Sequence, residues 1–125
     1  MELMTVVVII SVIAAFAIPN YQRTVERAHR KDAETNLLAI YSANKIYFAE
    51  KSVYWPDPVG SGGLAEINTN LKLAIIPNGM TYTCYNSTPN DFKCTATRNG
   101  STPYTITITE ASPPALSCSP SSSCP

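Results

Sequence analysis

Residues whose side chains could do chemistry are few and dispersed along the 125-residue chain. Four cysteines, Cys84, Cys94, Cys118 and Cys124, all lie in its C-terminal half. An even number without histidine neighbours reads as disulfide chemistry in an oxidising compartment. Zinc ligation is disfavoured, since no CxxC pair occurs and His29 is the only histidine. His29 has no serine or cysteine nucleophile in a recognisable elbow and sits on a charged stretch, so it founds no catalytic constellation. Gly60-Ser61-Gly62-Gly63 lacks the lysine, strand and helix of a phosphate-binding loop. Asp57, Glu66 and Asp91 are too scattered for a calcium loop. The chain is therefore read as a non-enzyme, with no cofactor and no metal site. Asn86-Ser87-Thr88 and Asn99-Gly100-Ser101 match the N-glycosylation acceptor pattern in turn-like segments, and the serines of 117–125 could carry O-linked sugars. One more residue draws notice by its surroundings: Glu2 heads a long apolar run.

That run, Leu3 to Ile18, holds no charge and only Thr5 and Ser11 as polar residues, and Pro19 closes it. As a helix it would measure about 24 Å, somewhat short of a hydrocarbon core of about 30 Å. A carboxylate beside lipid is costly, so Glu2 needs a partner or a purpose. A secretory signal peptide would show a basic region before the apolar run and a small-residue cleavage site after it; neither is present. From Asn20 to about Ser52 the chain has no Gly or Pro. Val25, Ala28, Ala33, Leu37, Ile40, Tyr41 and Phe48 approximate a helical stripe, interrupted by Asn44. Glu26 to Arg30 and Arg30 to Glu34 are spaced for ion pairs on a solvated face. Arg23, Arg27, Arg30 and Lys31 form a basic cluster just past Pro19, placed to meet lipid head groups or acids on adjacent copies. One helix of roughly 50 residues would be about 75 Å long, more than a domain of this size can bury. Its protruding half must be sheathed by lipid or by copies of itself.

The remainder reads as a small α+β head. Segment 53–80 is a connecting loop rich in breakers, Trp55-Pro56-Asp57-Pro58 and the glycines after them, with a short helix possible at 64–73. Three strands follow within 81–109: Thr81 to Tyr85, Phe92 to Arg98 and Tyr104 to Thr109, each alternating apolar with polar. They suit a three-stranded antiparallel meander packed on the amphipathic half of the helix, 23–52. Cys84 and Cys94 fall on neighbouring strands, which favours that pair. Cys118 and Cys124 would then tie the Ser/Pro-rich tail, 110–125, although four cysteines allow three connectivities. Nine basic and nine acidic residues give no net charge, so no specific nucleic-acid partner is assigned. Phe16, Tyr21, Tyr41, Tyr47, Phe48, Tyr54 and Trp55 are read as packing and interfacial aromatics rather than an electron path.

Residues 1–22 carry the most specific signature: Glu2 to Gln22, ELMTVVVIISVIAAFAIPNYQ, resembles the N-terminal segment of type IV pilins and the related type II secretion pseudopilins. The resemblance implies a pilin-like fold, prepilin-peptidase cleavage of a basic leader a few residues before Met1, and N-methylation of the new terminus. It also implies that Glu2 neutralises the N-terminus of a neighbouring subunit during assembly, and that the stretch before Pro19 can lose helicity in a filament. Many family members have glycine where Ser11 stands here. The expectation is a major pilin: a homopolymer of identical subunits, held in the inner membrane before assembly, moved by pilus assembly machinery into an extracellular filament. A secretion pseudopilin and a membrane-tethered binding module are the alternatives. Adhesion, motility, DNA uptake and conduction are all compatible with the sequence.

Overall fold

The computed structural model describes residues 1–125. A single helix of 50 residues, α1, runs from Glu2 to Lys51, straight through Pro19. Pro19 has no N–H, so the carbonyl of Ala15 lacks its usual helical donor. The hydroxyls of Thr5 and Ser11 are turned back onto the chain, bonding the carbonyls of Met1 at 3.2 Å and Val7 at 2.7 Å. Both polar side chains of the apolar run are thus satisfied without water. The helix ends at Ser52, a left-handed residue with φ of 60° whose N–H bonds Phe48 O.

The head follows in the order β1 (Ser61–Gly63), α2 (Leu64–Asn70), β2 (Met80–Tyr85), β3 (Lys93–Arg98), β4 (Tyr104–Thr109) and β5 (Leu116–Ser119). The strands form one antiparallel sheet in sequence order, β1-β2-β3-β4-β5. Its register sets Cys84 opposite Cys94, Cys94 opposite Ile108 and Ile106 opposite Cys118. Alternation decides the faces. Tyr82, Cys84, Cys94, Ala96, Tyr104, Ile106 and Ile108 turn inward and are buried, while the threonines between them turn out. Against this face α1 presents Ala33, Leu37, Ile40, Tyr41 and Asn44. Ile67 of α2 and Phe92 complete the core.

The sheet has five strands where the sequence pattern predicts three. The two extra strands flank the expected meander and are short, three and four residues, so neither carries a pattern long enough to read as a strand. Ser61-Gly62-Gly63 pairs with β2 because glycine lets it lie close: a Cβ on Gly62 would collide with the Trp55 ring. Leu116–Ser119 is recruited from the tail by the open edge of β4. Gly79, at φ 79°, turns the chain into β2, with Met80 N bonded to Pro77 O at 2.8 Å.

The connecting loop is held by asparagines. Asn44, fully buried on α1, accepts from Trp55 N–H at 2.9 Å and donates to Trp55 O at 3.0 Å. Asn86 accepts from Gly60 N–H at 2.9 Å and donates to Pro56 O at 2.9 Å. Asn68 bonds Ile75 in the same two-way manner. An irregular segment crossing a core has unpaired backbone groups, and these side chains supply the missing partners.

Candidate functional site

The apolar stretch of α1, Leu3 to Ile18, is exposed along its whole length. Leu3 is 82% exposed and Ile13 62%, and the other large apolar side chains from Met4 to Ile18 are also exposed. Apolar surface this continuous marks an interaction site. The helix is long and apolar enough to cross a membrane. Glu2 stands in its first turn, where the helix dipole favours a carboxylate, and it makes no ion pair within the chain. Pro19 lies at the far end of the same segment, so one apolar rod carries both residues.

Where α1 enters the head, charged groups fix its angle to the sheet. Arg98 of β3 pairs with Glu26 at 2.9 Å and donates to Gly79 O at 3.0 Å. Arg30 and Lys31 both pair with Glu34 at 2.9 Å, and Arg30 also bonds the carbonyl of Pro125. Burial pushes the Glu34 carboxyl upward, but the hydrogen bonds from Lys31 and Arg30 outweigh it and hold Glu34 below its ordinary range. Nearby, the Tyr104 hydroxyl is buried without a hydrogen-bond partner. Burial first, and then the charge of Glu26, raise its pKa. At the other end of the head, Lys45 donates to Tyr54 Oη at 2.8 Å and Glu110 O at 2.7 Å, with its ammonium over the rings of Tyr41 and Tyr54.

The cysteines pair as Cys84–Cys94, between β2 and β3, and Cys118–Cys124, which closes the tail. Asn99 lies in an exposed turn, whereas Asn86 is buried with its amide nitrogen committed to Pro56 O. Sequence reasoning missed the Glu26–Arg98 bridge, which joins residues 72 positions apart and leaves no local signal. It also missed the clamps made by Asn44 and Asn86. For Asn44 a signal existed: an amide inside an apolar stripe must find partners if the stripe is buried.

Residues 19–122 match the family described as "Type IV minor pilin ComP, DNA uptake sequence receptor". The chain belongs to the type IV pilin family. It is 49% identical over 53 residues to the type IV major pilin protein PilA of Myxococcus xanthus (strain DK1622), covering 42% of this chain and 24% of that protein. It is 34% identical over 70 residues to the type II secretion system core protein G of Vibrio cholerae serotype O1 (strain ATCC 39315 / El Tor Inaba N16961), covering 56% of this chain and 48% of that protein. The chain thus spans less than half the length of either relative. No solved structure matches it significantly. None of these descriptions names an enzyme. The family description does name a DNA receptor, which stands against the sequence reading that assigned no nucleic-acid partner.

Proposed function

We propose that the chain is the major structural subunit of an extracellular type IV pilus-like filament, stored in the inner membrane and polymerised through the apolar half of α1. The observation that carries this reading is the 50-residue helix whose apolar stretch, Leu3 to Ile18, is uncovered on every side while one face of its second half is buried against the head. Such a rod is stable in water only when lipid or other rods sheathe it. Lipid serves before assembly; identical rods, bundled in a filament core, serve after it. Glu2 is then buried among apolar neighbours and pairs with the positive terminus of an adjacent subunit, because an unpaired charge there would oppose assembly. Pro19, already missing one helical hydrogen bond, is where the rod can bend or unwind as subunits pack.

Two observations favour rival roles on the same scaffold. The family match over 19–122 supports a minor pilin that receives DNA. The relative from type II secretion supports a pseudopilin. Electron microscopy of filaments sheared from cells, with mass spectrometry of their protein, separates the three. Long filaments made mainly of this chain support the major pilin. Filaments carrying it as a trace component, with DNA capture lost on its deletion, overturn that in favour of a minor pilin. Retention in the envelope without filaments overturns it in favour of a pseudopilin.

A further inference from the structure

A groove of about 940 Å³ opens at the base of the head, on the side from which the apolar half of α1 emerges. One wall is the helix, with Tyr21, Arg23, Glu26 and Arg27; the other is made by Ser101 and Thr102 of the β3–β4 turn and by Ser122 of the tail. Charge is distributed unequally along this stretch of α1. Glu26 is neutralised by Arg98, and Arg30 and Lys31 share Glu34. Arg23 and Arg27, one turn apart and both exposed, have no carboxylate partner. Two uncompensated guanidinium groups facing hydroxyls across a groove suit a phosphate: the arginines supply forked charged donors and the hydroxyls supply neutral ones.

Depth along the helix identifies the source of that phosphate. Arg23 and Arg27 lie about 7.5 Å and about 13.5 Å beyond Ile18, where the apolar run ends. The head-group layer of a bilayer is about 5–7 Å thick on each side of the hydrocarbon. Helical side chains lean toward the N-terminus, so both long arginines reach back toward the membrane rather than away from it. Tyr21, 71% exposed on the same wall, sits where interfacial aromatics collect. We infer that the groove formed by Arg23, Arg27, Ser101, Thr102 and Ser122 binds the phosphate head group of an anionic membrane lipid while the subunit is held in the bilayer. Duplex DNA fits less well. A duplex site draws its affinity from several phosphate contacts, and here two free cations sit on a chain with no net charge. The inference rests on the membrane-stored stage proposed above and is independent of whether the filament is a pilus.

The test uses the full chain reconstituted in nanodiscs of equal phosphatidylglycerol and phosphatidylcholine, with retained lipids counted by native mass spectrometry. The wild-type chain retains phosphatidylglycerol over phosphatidylcholine by on the order of tenfold. Arg23→Gln with Arg27→Gln falls to parity, whereas Arg23→Lys with Arg27→Lys keeps most of the preference. Circular dichroism of each variant confirms that α1 is intact, as exposed substitutions should leave it. Parity in the wild type, or a preference indifferent to the glutamine pair, overturns the inference. So does loss of the preference in millimolar inorganic phosphate, which would mark a site for the free ion. Arginine-dependent capture of a short duplex at physiological salt, without lipid preference, overturns it in favour of nucleic acid. A chain that fails to enter the bilayer, read separately by flotation, overturns the storage stage and this inference with it.

Discussion

The two halves of α1 are one continuous helix with opposite fates. Between Leu3 and Ile18 every large apolar side chain is exposed, whereas Ala33, Leu37 and Ile40 are completely buried. The difference lies in patterning. The second half is amphipathic because its partner, the sheet, covers one face and water the other. The first half is apolar all round, a pattern that water cannot stabilise and that calls for a sheath on every side. The head is therefore complete within the chain and the rod is not, so substitutions in the two halves should fail in different assays.

The largest effect belongs to Glu2. If the rod assembles among copies of itself, Glu2→Ala leaves the neighbouring terminus unpaired in an apolar core. Filament yield should fall on the order of a hundredfold, while membrane insertion and head melting stay at wild-type values. Yield is read by shearing and immunoblot against total protein, and unchanged yield would remove Glu2 from the assembly reaction. The head gives the mirror result. Leu37→Ala should lower its stability by about 2–5 kcal/mol, because a cavity opens beneath the sheet. Ile9→Ala should change head melting by less than about 0.5 kcal/mol, since Ile9 touches nothing there. Near-ultraviolet circular dichroism of the detergent-solubilised chain measures both. Equal losses would mean that the two halves are coupled.

How far each half can be read from sequence follows the same division. The rod is legible because its signal is local: an uncharged run, a carboxylate before it and a proline after it. Strands β2, β3 and β4 are legible because threonine alternates with apolar residues along them. By contrast, β1 is only Ser-Gly-Gly and β5 only four residues between Pro114 and Pro120, so both depend on neighbouring edges that accept them. The groove at the base of the head is drawn from α1, the β3–β4 turn and the tail, so no sequence window contains it. Asn44 lies between these cases. It breaks the apolar stripe, which reads as an interruption, and the structure shows it to be the fastening of the loop.

That fastening gives an intermediate prediction. Asn44→Leu keeps the branched shape and completes the apolar stripe but strands both the N–H and the carbonyl of Trp55 in the core. A buried unsatisfied group costs about 1–3 kcal/mol, so two of them should cost the head roughly 2–6 kcal/mol even though its hydrophobicity rises. Hydrogen exchange at Trp55 should increase more than at β3. If melting is unchanged, the loop is held by the packing of Trp55 and not by the amide.

The smallest expected effect concerns the junction between the halves. Glu34 is depressed below its ordinary value of 4.5, since the hydrogen bonds of Lys31 and Arg30 overcome its burial. A group whose folded pKa is lowered stabilises the fold above its unfolded pKa and loses that contribution as pH falls through the folded value. The head should therefore weaken from about pH 4.5 downward, by less than about 1 kcal/mol because Arg30 and Lys31 are partly solvated. Glu34→Gln should lower stability slightly at pH 7 and flatten that acid limb. The same substitution leaves Arg30 and Lys31 without a carboxylate, though Arg30 keeps its bond to Pro125 O, and so enlarges the uncompensated charge on α1 next to Arg23 and Arg27. If the groove serves anionic lipid, phosphatidylglycerol retention should rise in this variant while head stability falls. Opposite movement of the two readings would separate the charge that holds the fold together from the charge that faces the membrane.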